Sequence, residues 1–156
     1  MGRSHGLIAV LLALGAACGE DRGDVAALQV TSPAFEEGAT VPTEFTCEGE
    51  DTSPPLEWSG VPEGAAELRL LVTDPDAPGG TFTHWSVTGI DPAATGVEAG
   101  QVPEGGTEEE NSFGRAGYGG PCPPPGPAHR YVWTVEALSE DGDVLASGSL
   151  TARFGR

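Results

Sequence analysis

The sequence contains no lysine: all seven of its basic residues are arginines. Acidic residues number 24, so the formal net charge at pH 7 is −17. A chain with this charge repels nucleic acid and anionic membrane surfaces over most of its area. The composition therefore argues against a nucleic-acid-binding protein. Any anion that binds must be held by local hydrogen-bond donors.

No apolar run is long enough to cross a bilayer as a helix, which takes about 20 residues. The run Leu7–Ala17 follows a short N-terminal stretch with one arginine and ends at Cys18. This pattern predicts a signal peptide over residues 1–17, of the lipoprotein type, with Cys18 as the lipidated residue; cleavage without lipidation is the alternative. Residues 18–27 are predicted to form a mobile polar tether. The protein is then exported and held at the cell envelope through its lipid anchor alone.

Cysteine is scarce, with three residues in the chain. Because Cys18 belongs to export, Cys47 and Cys122 remain as a pair in an oxidising compartment. A disulfide between them is one interpretation, and two unpaired, buried thiols are the other. The choice stays open because a sequence does not fix the distance between two cysteines.

Helical periodicity is also missing after Ala27, and short β-branched and aromatic runs between Gly and Pro residues take its place. The predicted strands are Leu28–Thr31, Leu68–Val72, Thr83–Ile90, Arg130–Leu138 and Val144–Phe154. A turn at Glu140–Asp143 joins the last two as a hairpin. The sequence thus predicts one mainly β domain over residues 28–156, an antiparallel β-sandwich with few or no helices. The segment Asp91–Ser112 is predicted to be an exposed loop.

Polar residues gather where the predicted strands begin or end. Asp74 and Asp76 leave a buried strand, His84 lies near the start of the next, and His129 opens the strand that carries Tyr131 on the same face. A carboxylate beside an imidazole favours the charged ring, which donates to an anion, and the tyrosine hydroxyl donates as well. Singly, these are ordinary turn or strand residues. The prediction of an anion pocket depends on their meeting.

A loop rich in glycine and proline supplies the third wall of this predicted pocket. Gly117–Gly120 let the backbone approach a ligand and aim N–H groups at it. Pro121–Pro125 stiffen the loop, so that little entropy is lost on binding. Alone, the loop is equally typical of an ordinary surface segment.

Motifs of catalysis are lacking. There is no G-x-S-x-G nucleophile elbow, and no helix N-terminus is evident to activate Cys122 beside His129. The set Asp74, Asp76, His84 and His129 lacks a recognisable metal-ligand spacing. We therefore expect a protein that is not an enzyme and that carries no cofactor and no metal.

Several motifs follow one another in a fixed order along the chain. They are S-P-A-F at Ser32–Phe35, F-T-C-E-G-E-D-T-S-P-P-L-E-W at Phe45–Trp58, T-D-P-D-A-P at Thr73–Pro78, F-T-H-W at Phe82–Trp85, N-S-F-G-R-A-G-Y-G-G-P-C-P-P at Asn111–Pro124 and H-R-Y at His129–Tyr131. Together they resemble the phosphatidylethanolamine-binding protein (PEBP) family, in its bacterial Raf-kinase-inhibitor-like (YbhB/YbcL) branch. The resemblance implies a β-sandwich whose small pocket takes phosphate-like anions or phospholipid head groups. The pocket residues that it implies are Asp74, Asp76, Pro78, His84, Gly120, Pro121, His129 and Tyr131.

The same resemblance implies an alternative function, because the family also contains inhibitors of kinases and serine proteases. The chain would then be an inhibitor or scaffold acting through protein contact, with the acidic loop Gly96–Glu110 as its contact surface. The chain also departs from the family, whose members usually carry a helix-forming segment before the last strand. Only Ser139–Asp143 stands there, so we expect one side of the pocket rim to be open or reshaped.

Overall fold

The computed structural model describes Gly2 and residues 25–156. Apart from Gly2, the predicted signal peptide, Cys18 and most of the predicted tether lie outside the described residues. In this described part, no helix has both the length and the apolar character that a membrane crossing requires. Regular structure in residues 25–156 consists of strands and a single 3-10 turn at Thr43–Phe45. The prediction of a mainly β fold with few or no helices is confirmed.

The strands form two sheets. Their bounds are β1 Ala26–Ala27, β2 Gln29–Thr31, β3 Leu56–Ser59, β4 Glu67–Asp74, β5 Phe82–Ile90, β6 Gly96–Val97, β7 Thr107–Glu108, β8 His129–Leu138 and β9 Val144–Phe154. The 6-stranded sheet has the order β1-β9-β8-β4-β5-β7, and the 3-stranded sheet has the order β2-β3-β6. Neighbouring strands are antiparallel, except that β1 runs parallel to β9.

Alternation of side chains along the long strands builds the core between the sheets. On β8, Tyr131, Trp133, Val135 and Ala137 are fully buried, as the predicted shared face requires. From the smaller sheet, Leu56 and Trp58 of β3 are buried in the same cluster. Burial of each large apolar side chain stabilises the fold by about 1.5–3 kcal/mol. The sandwich is therefore held together mainly by the contact between its two unequal sheets.

The hairpin that ends the chain has the predicted form. β8 and β9 pair from His129–Phe154 to Leu138–Val144. Between them, the Ser139 N–H donates to the Asp143 carbonyl oxygen over 2.9 Å, which closes a tight turn. No helix stands in this connection, as the short sequence here predicts.

The segment Asp91–Ser112 differs from its prediction as an exposed loop. It contributes β6 to the smaller sheet and β7 to the edge of the larger one. These strands have two residues each, which is too short for an alternation pattern to be recognised in a sequence. The acidic segment predicted as a contact surface is thus attached to both sheets. Similarly, Ala26–Ala27 pairs with β9 rather than ending a free tether.

Candidate functional site

Three strands of the larger sheet meet at one end of the sheet. β4 ends at Asp74, which pairs with Phe82 at the start of β5. On the other side of β4, Thr73 pairs with Val132, so that the first residue of β8, His129, lies beyond the end of this ladder. The structure therefore brings together the strand ends that carry the predicted site residues.

A β-bulge places His84 in this cluster. Val72 pairs with Trp85 and Thr73 with Thr83, which leaves His84 as the extra residue of β5. A bulge re-aims a side chain that simple alternation would turn to the opposite face. His84 and Trp85 are consequently both buried, although they are neighbours in sequence.

The His84 ring is held by a backbone carbonyl. Its Nδ1 lies 2.7 Å from the Gly119 carbonyl oxygen, and since a carbonyl only accepts, Nδ1 carries the proton. Burial lowers the pKa of His84 below the ordinary 6.5, although the bond to Gly119 opposes this shift. The ring is therefore neutral at neutral pH. Its Nε2 has a free lone pair and no hydrogen-bond partner among the described residues.

The lowered pKa of His84 predicts a loss of stability in mild acid. As the pH falls through 6.5, the unfolded His84 takes up a proton that the buried ring resists, so the unfolded state is favoured. We expect the NMR titration of His84 to give a pKa below 6.5. We also expect His84→Gln to show a weaker decline of the unfolding free energy over the same pH range. A pKa at or above the ordinary value would contradict this account of the ring.

Asp74 is buried and accepts two hydrogen bonds. Its Oδ2 lies 2.7 Å from Nδ1 of His129, and its Oδ1 accepts from the Asp76 N–H over 2.8 Å. The first contact fixes the direction of the His129 ring, and its Nε2 has no partner among the described residues. The second contact shapes the exit of the chain from β4. Asp74 thus positions His129 and uses both carboxylate oxygens within the protein.

The Tyr131 hydroxyl stands unpaired in the interior of this cluster. The residue is 0% exposed, and its hydroxyl is one of two buried polar side-chain groups without a hydrogen-bond partner in the described chain; the other is Nε1 of Trp133. The Tyr131 ring lies 5.2 Å from the His84 ring, edge to face. Burial and the nearby Asp74 carboxylate raise the pKa of Tyr131, so the hydroxyl keeps its proton. An unpaired buried donor costs free energy unless a ligand or water satisfies it.

Asp76 has a different role from Asp74. Its carboxylate accepts from Nη2 of Arg130 over 2.8 Å and from the Arg130 N–H over 2.9 Å. These hydrogen bonds hold the pKa of Asp76 well below its usual range. Because both side chains are partly exposed, the pair fixes the rim of the site rather than its buried centre.

The Gly/Pro loop is attached to the segment around the 3-10 turn. Cys47 and Cys122 form a disulfide, with their Cα atoms 5.4 Å apart, and the Cys47 N–H donates to the Pro121 carbonyl oxygen over 3.1 Å. The Gly120 N–H donates to Oδ1 of Asp51 over 2.6 Å. These contacts hold the loop beside the strand ends.

Gly120 lets the loop pack closely against the neighbouring backbone, but it offers no free N–H group to a ligand. A Cβ atom there would lie 2.5 Å from the Phe45 carbonyl oxygen and 2.6 Å from Oδ1 of Asp51. The neighbouring Gly119 N–H donates to the His84 carbonyl oxygen. The predicted use of glycine N–H groups toward a ligand therefore does not fit these two residues, because both N–H groups are already occupied.

One predicted site residue lies away from the strand-end cluster, and two residues that support the cluster were not predicted from the sequence. Pro78 is exposed in the turn between β4 and β5 and forms no hydrogen bond with the cluster. Asp51, with a φ of 56°, anchors Gly120. Asn111 is buried, and its Nδ2 donates to the Gly117 carbonyl oxygen over 2.7 Å. Both missed residues lie inside the quoted motifs, which was the available signal.

The described residues contain no metal-ligand group, and their large groove lies away from the strand-end cluster. Within the described residues, no group of three or more His, Cys, Asp or Glu side chains is arranged to hold a metal ion. A groove of about 720 Å³ lies elsewhere, along β2, β3 and the segment that contains β6. None of Asp74, His84, His129 and Tyr131 lines this groove.

Comparison with known proteins gives a consistent result. The sequence profile of the family described as phosphatidylethanolamine-binding protein matches residues 31–154. The provisionally named lipoprotein LppC of Mycobacterium tuberculosis is 51% identical over 112 residues, which cover 71% of this chain and 55% of LppC. The chain thus spans about half the length of that relative. A UPF0098 protein of Aquifex aeolicus is 45% identical over 130 residues, covering 80% of this chain and 75% of that protein.

Solved structures agree with the fold. The crystal structure of Escherichia coli YbcL, described as a new member of the mammalian PEBP family, matches with a TM-score of 0.78 and 32% identity, covering 84% of this chain and 99% of YbcL. The PEBP homologue CT736 of Chlamydia trachomatis matches with a TM-score of 0.77 and 32% identity, covering 83% of this chain and 98% of that one. From its sequence profile, relatives and fold, the chain belongs to the phosphatidylethanolamine-binding protein family.

Proposed function

We propose that this protein binds phosphate-like anions or phosphorylated head groups at the strand-end cluster of Asp74, His84, His129 and Tyr131. One observation carries the proposal: the fully buried Tyr131 hydroxyl lies beside the His84 ring and the Asp74 carboxylate, yet it forms no hydrogen bond of good geometry with the described residues. A phosphate oxygen is a suitable acceptor for this hydroxyl. The proposal is one of binding and includes no catalytic step.

The two histidines provide ring nitrogens that can donate hydrogen bonds to a negatively charged ligand. In the free protein, Nε2 of His84 carries a lone pair, so an anion binds best when this nitrogen takes up a proton and donates it. At His129, the Asp74 carboxylate on Nδ1 balances the positive charge of a protonated ring. Binding of an anion and protonation of the His84 ring therefore favour each other.

Arginines near the site offset the acidity of the chain. Arg130 and Arg153 are paired across β8 and β9, and Nε of Arg156 donates to the Pro123 carbonyl oxygen over 2.7 Å. Arg130 and Arg153 lie on the exposed face of β8 and β9, and Arg156 follows the end of β9, where its charge acts on the Tyr131 hydroxyl. Because Arg130 is paired with Asp76, the local positive charge comes mainly from Arg156, in a protein whose formal charge is −17.

Titration of the purified protein with inorganic phosphate tests the proposal. We expect the NMR signals of both ring systems, His84 and His129, to shift with one common saturation curve, and sodium chloride at equal ionic strength to leave them in place. If millimolar phosphate moves neither histidine, the proposed function is wrong.

We further propose that the protein is a lipoprotein of the cell envelope, anchored at Cys18. The predicted signal peptide and the name of the relative LppC support this proposal. Intact mass measurement of protein from the membrane fraction would show a chain that begins at Cys18 and carries acyl groups. An unmodified chain, recovered with the soluble proteins, would contradict the anchor.

A further inference from the structure

An exposed aromatic ring stands at the edge of the strand-end cluster. Phe113 is 45% exposed, although a phenylalanine gains free energy from burial. Its ring centroid lies 5.4 Å from that of His84 and 4.8 Å from that of Phe82, in edge-to-face arrangements. The exposed ring therefore contacts the histidine of the proposed anion site directly.

Hydrogen bonds from the backbone and from the Asn111 side chain hold Phe113 in this place. Its N–H donates to Oδ1 of Asn111 over 2.9 Å, and the Asn111 side chain in turn donates to the Gly117 carbonyl oxygen. The neighbouring Ser112 N–H donates to the Thr83 carbonyl oxygen over 2.9 Å. The ring is thus presented by a fixed scaffold, which lowers the entropy cost of binding against it.

Phe113 also packs against the Gly/Pro loop. A Cβ atom on Gly119 would lie 2.4 Å from Cε2 of Phe113, so only glycine allows this approach. The same Gly119 accepts the hydrogen bond from His84. One loop position therefore supports both the histidine that faces the anion and the ring beside it.

The Arg115 guanidinium places a positive charge over the Phe113 ring. Its Cζ lies 5.6 Å from the Phe113 ring centroid, in the range of a cation–π contact. A second cation near this ring would be repelled by the guanidinium. An uncharged flat group, by contrast, gains contact with Phe113 and Phe82 without such a penalty.

We propose that Phe113 and Arg115 set the ligand preference of the site. The site then binds phosphate monoesters of an aryl group more tightly than inorganic phosphate, and more tightly than phosphate esters that carry an ammonium group. The proposal rests on the proposed function, since it concerns the substituent of the same anion. The phosphate occupies the strand-end cluster, and the aryl group packs on the exposed Phe113 ring beside it.

Calorimetric titration with three ligands tests this proposal: inorganic phosphate, phenyl phosphate and phosphoethanolamine. Because an aromatic pair contributes about 0.5–1.5 kcal/mol beyond burial of area, we expect phenyl phosphate to bind about tenfold more tightly than inorganic phosphate. Phosphoethanolamine should stay within about twofold of inorganic phosphate. Equal or weaker binding of phenyl phosphate, or a clear preference for phosphoethanolamine, would overturn the proposal.

Substitutions at Phe113 test whether its ring causes the preference for phenyl phosphate. Phe113→Ala should reduce the ratio of the phenyl phosphate affinity to the inorganic phosphate affinity from about tenfold to about one, whereas Phe113→Tyr should keep the ratio. Val102→Ala is a matched control, because Val102 is an apolar residue of similar exposure, 43%, and should change neither affinity. Equal weakening of all three ligands in Phe113→Ala would mean a purely structural role and refute the proposal. Failure of inorganic phosphate to bind the parent protein would instead refute the proposed function.

Discussion

Removing the disulfide by the double substitution Cys47→Ser, Cys122→Ser is expected to lower the free energy of unfolding by about 4 kcal/mol. The bond joins residues that are 75 positions apart. A cross-link over a loop of that length removes much conformational freedom from the unfolded chain. For a domain of this size, the loss corresponds to a decrease of roughly 15 °C in the melting temperature. Thermal and urea unfolding of parent and variant measure the effect.

The same substitution is expected to weaken anion binding. The disulfide holds the Gly/Pro loop against the segment around the 3-10 turn, next to the contact between Gly120 and Asp51. Since both cysteines are exposed, treatment of the parent protein with dithiothreitol provides an independent route to the same state. Unchanged melting temperature and phosphate affinity after complete reduction would show that the bond supports neither the fold nor the site.

Asp74→Asn is expected to reduce phosphate affinity by about thirtyfold, since losing a buried hydrogen bond to a charged carboxylate costs about 2 kcal/mol. The uncharged asparagine also holds the His129 ring less strongly than the carboxylate does, because hydrogen bonds to charged groups are the stronger ones. It also places an amide NH₂ opposite either Nδ1 of His129 or the Asp76 N–H, where a donor meets a donor. We expect the unfolding free energy to fall by about 2 kcal/mol as well.

Asp76→Asn is the matched control for this prediction. Asp76 lies in the same segment and has the same side chain, but its partner is the exposed Arg130. Exposed ion pairs contribute little to stability. We therefore expect a much smaller change in phosphate affinity than for Asp74→Asn. Equal effects of the two substitutions on binding would contradict the distinct roles assigned to the two carboxylates.

The sequence predicts the long strands well, because their alternation and turn residues are local signals. β8 shows this clearly: Tyr131 and Trp133 share the buried face that alternation assigns to them. The strand ends that carry Asp74 and His129 also lie together in the structure. It follows from antiparallel pairing, in which the end of one strand lies beside the start of the next.

Other features depend on contacts between segments that are distant in sequence. The bulge that buries both His84 and Trp85 breaks the alternation from which faces are predicted. The short strands β6 and β7 exist only because neighbouring strands offer them partners. The pairing of Cys47 with Cys122 could not be decided beforehand, because two loops must first pack together. The role of Phe113 was hidden for the same reason, since its contacts with His84 and Phe82 cross two segments.

A crystal structure of the protein grown with inorganic phosphate tests the central claim most directly. The account predicts one tetrahedral anion within hydrogen-bond distance of the Tyr131 hydroxyl, with Nε2 of His84 and Nε2 of His129 as further donors. Phosphate bound only at surface arginines, with the Tyr131 hydroxyl still unpaired or bonded to another protein group, would contradict it.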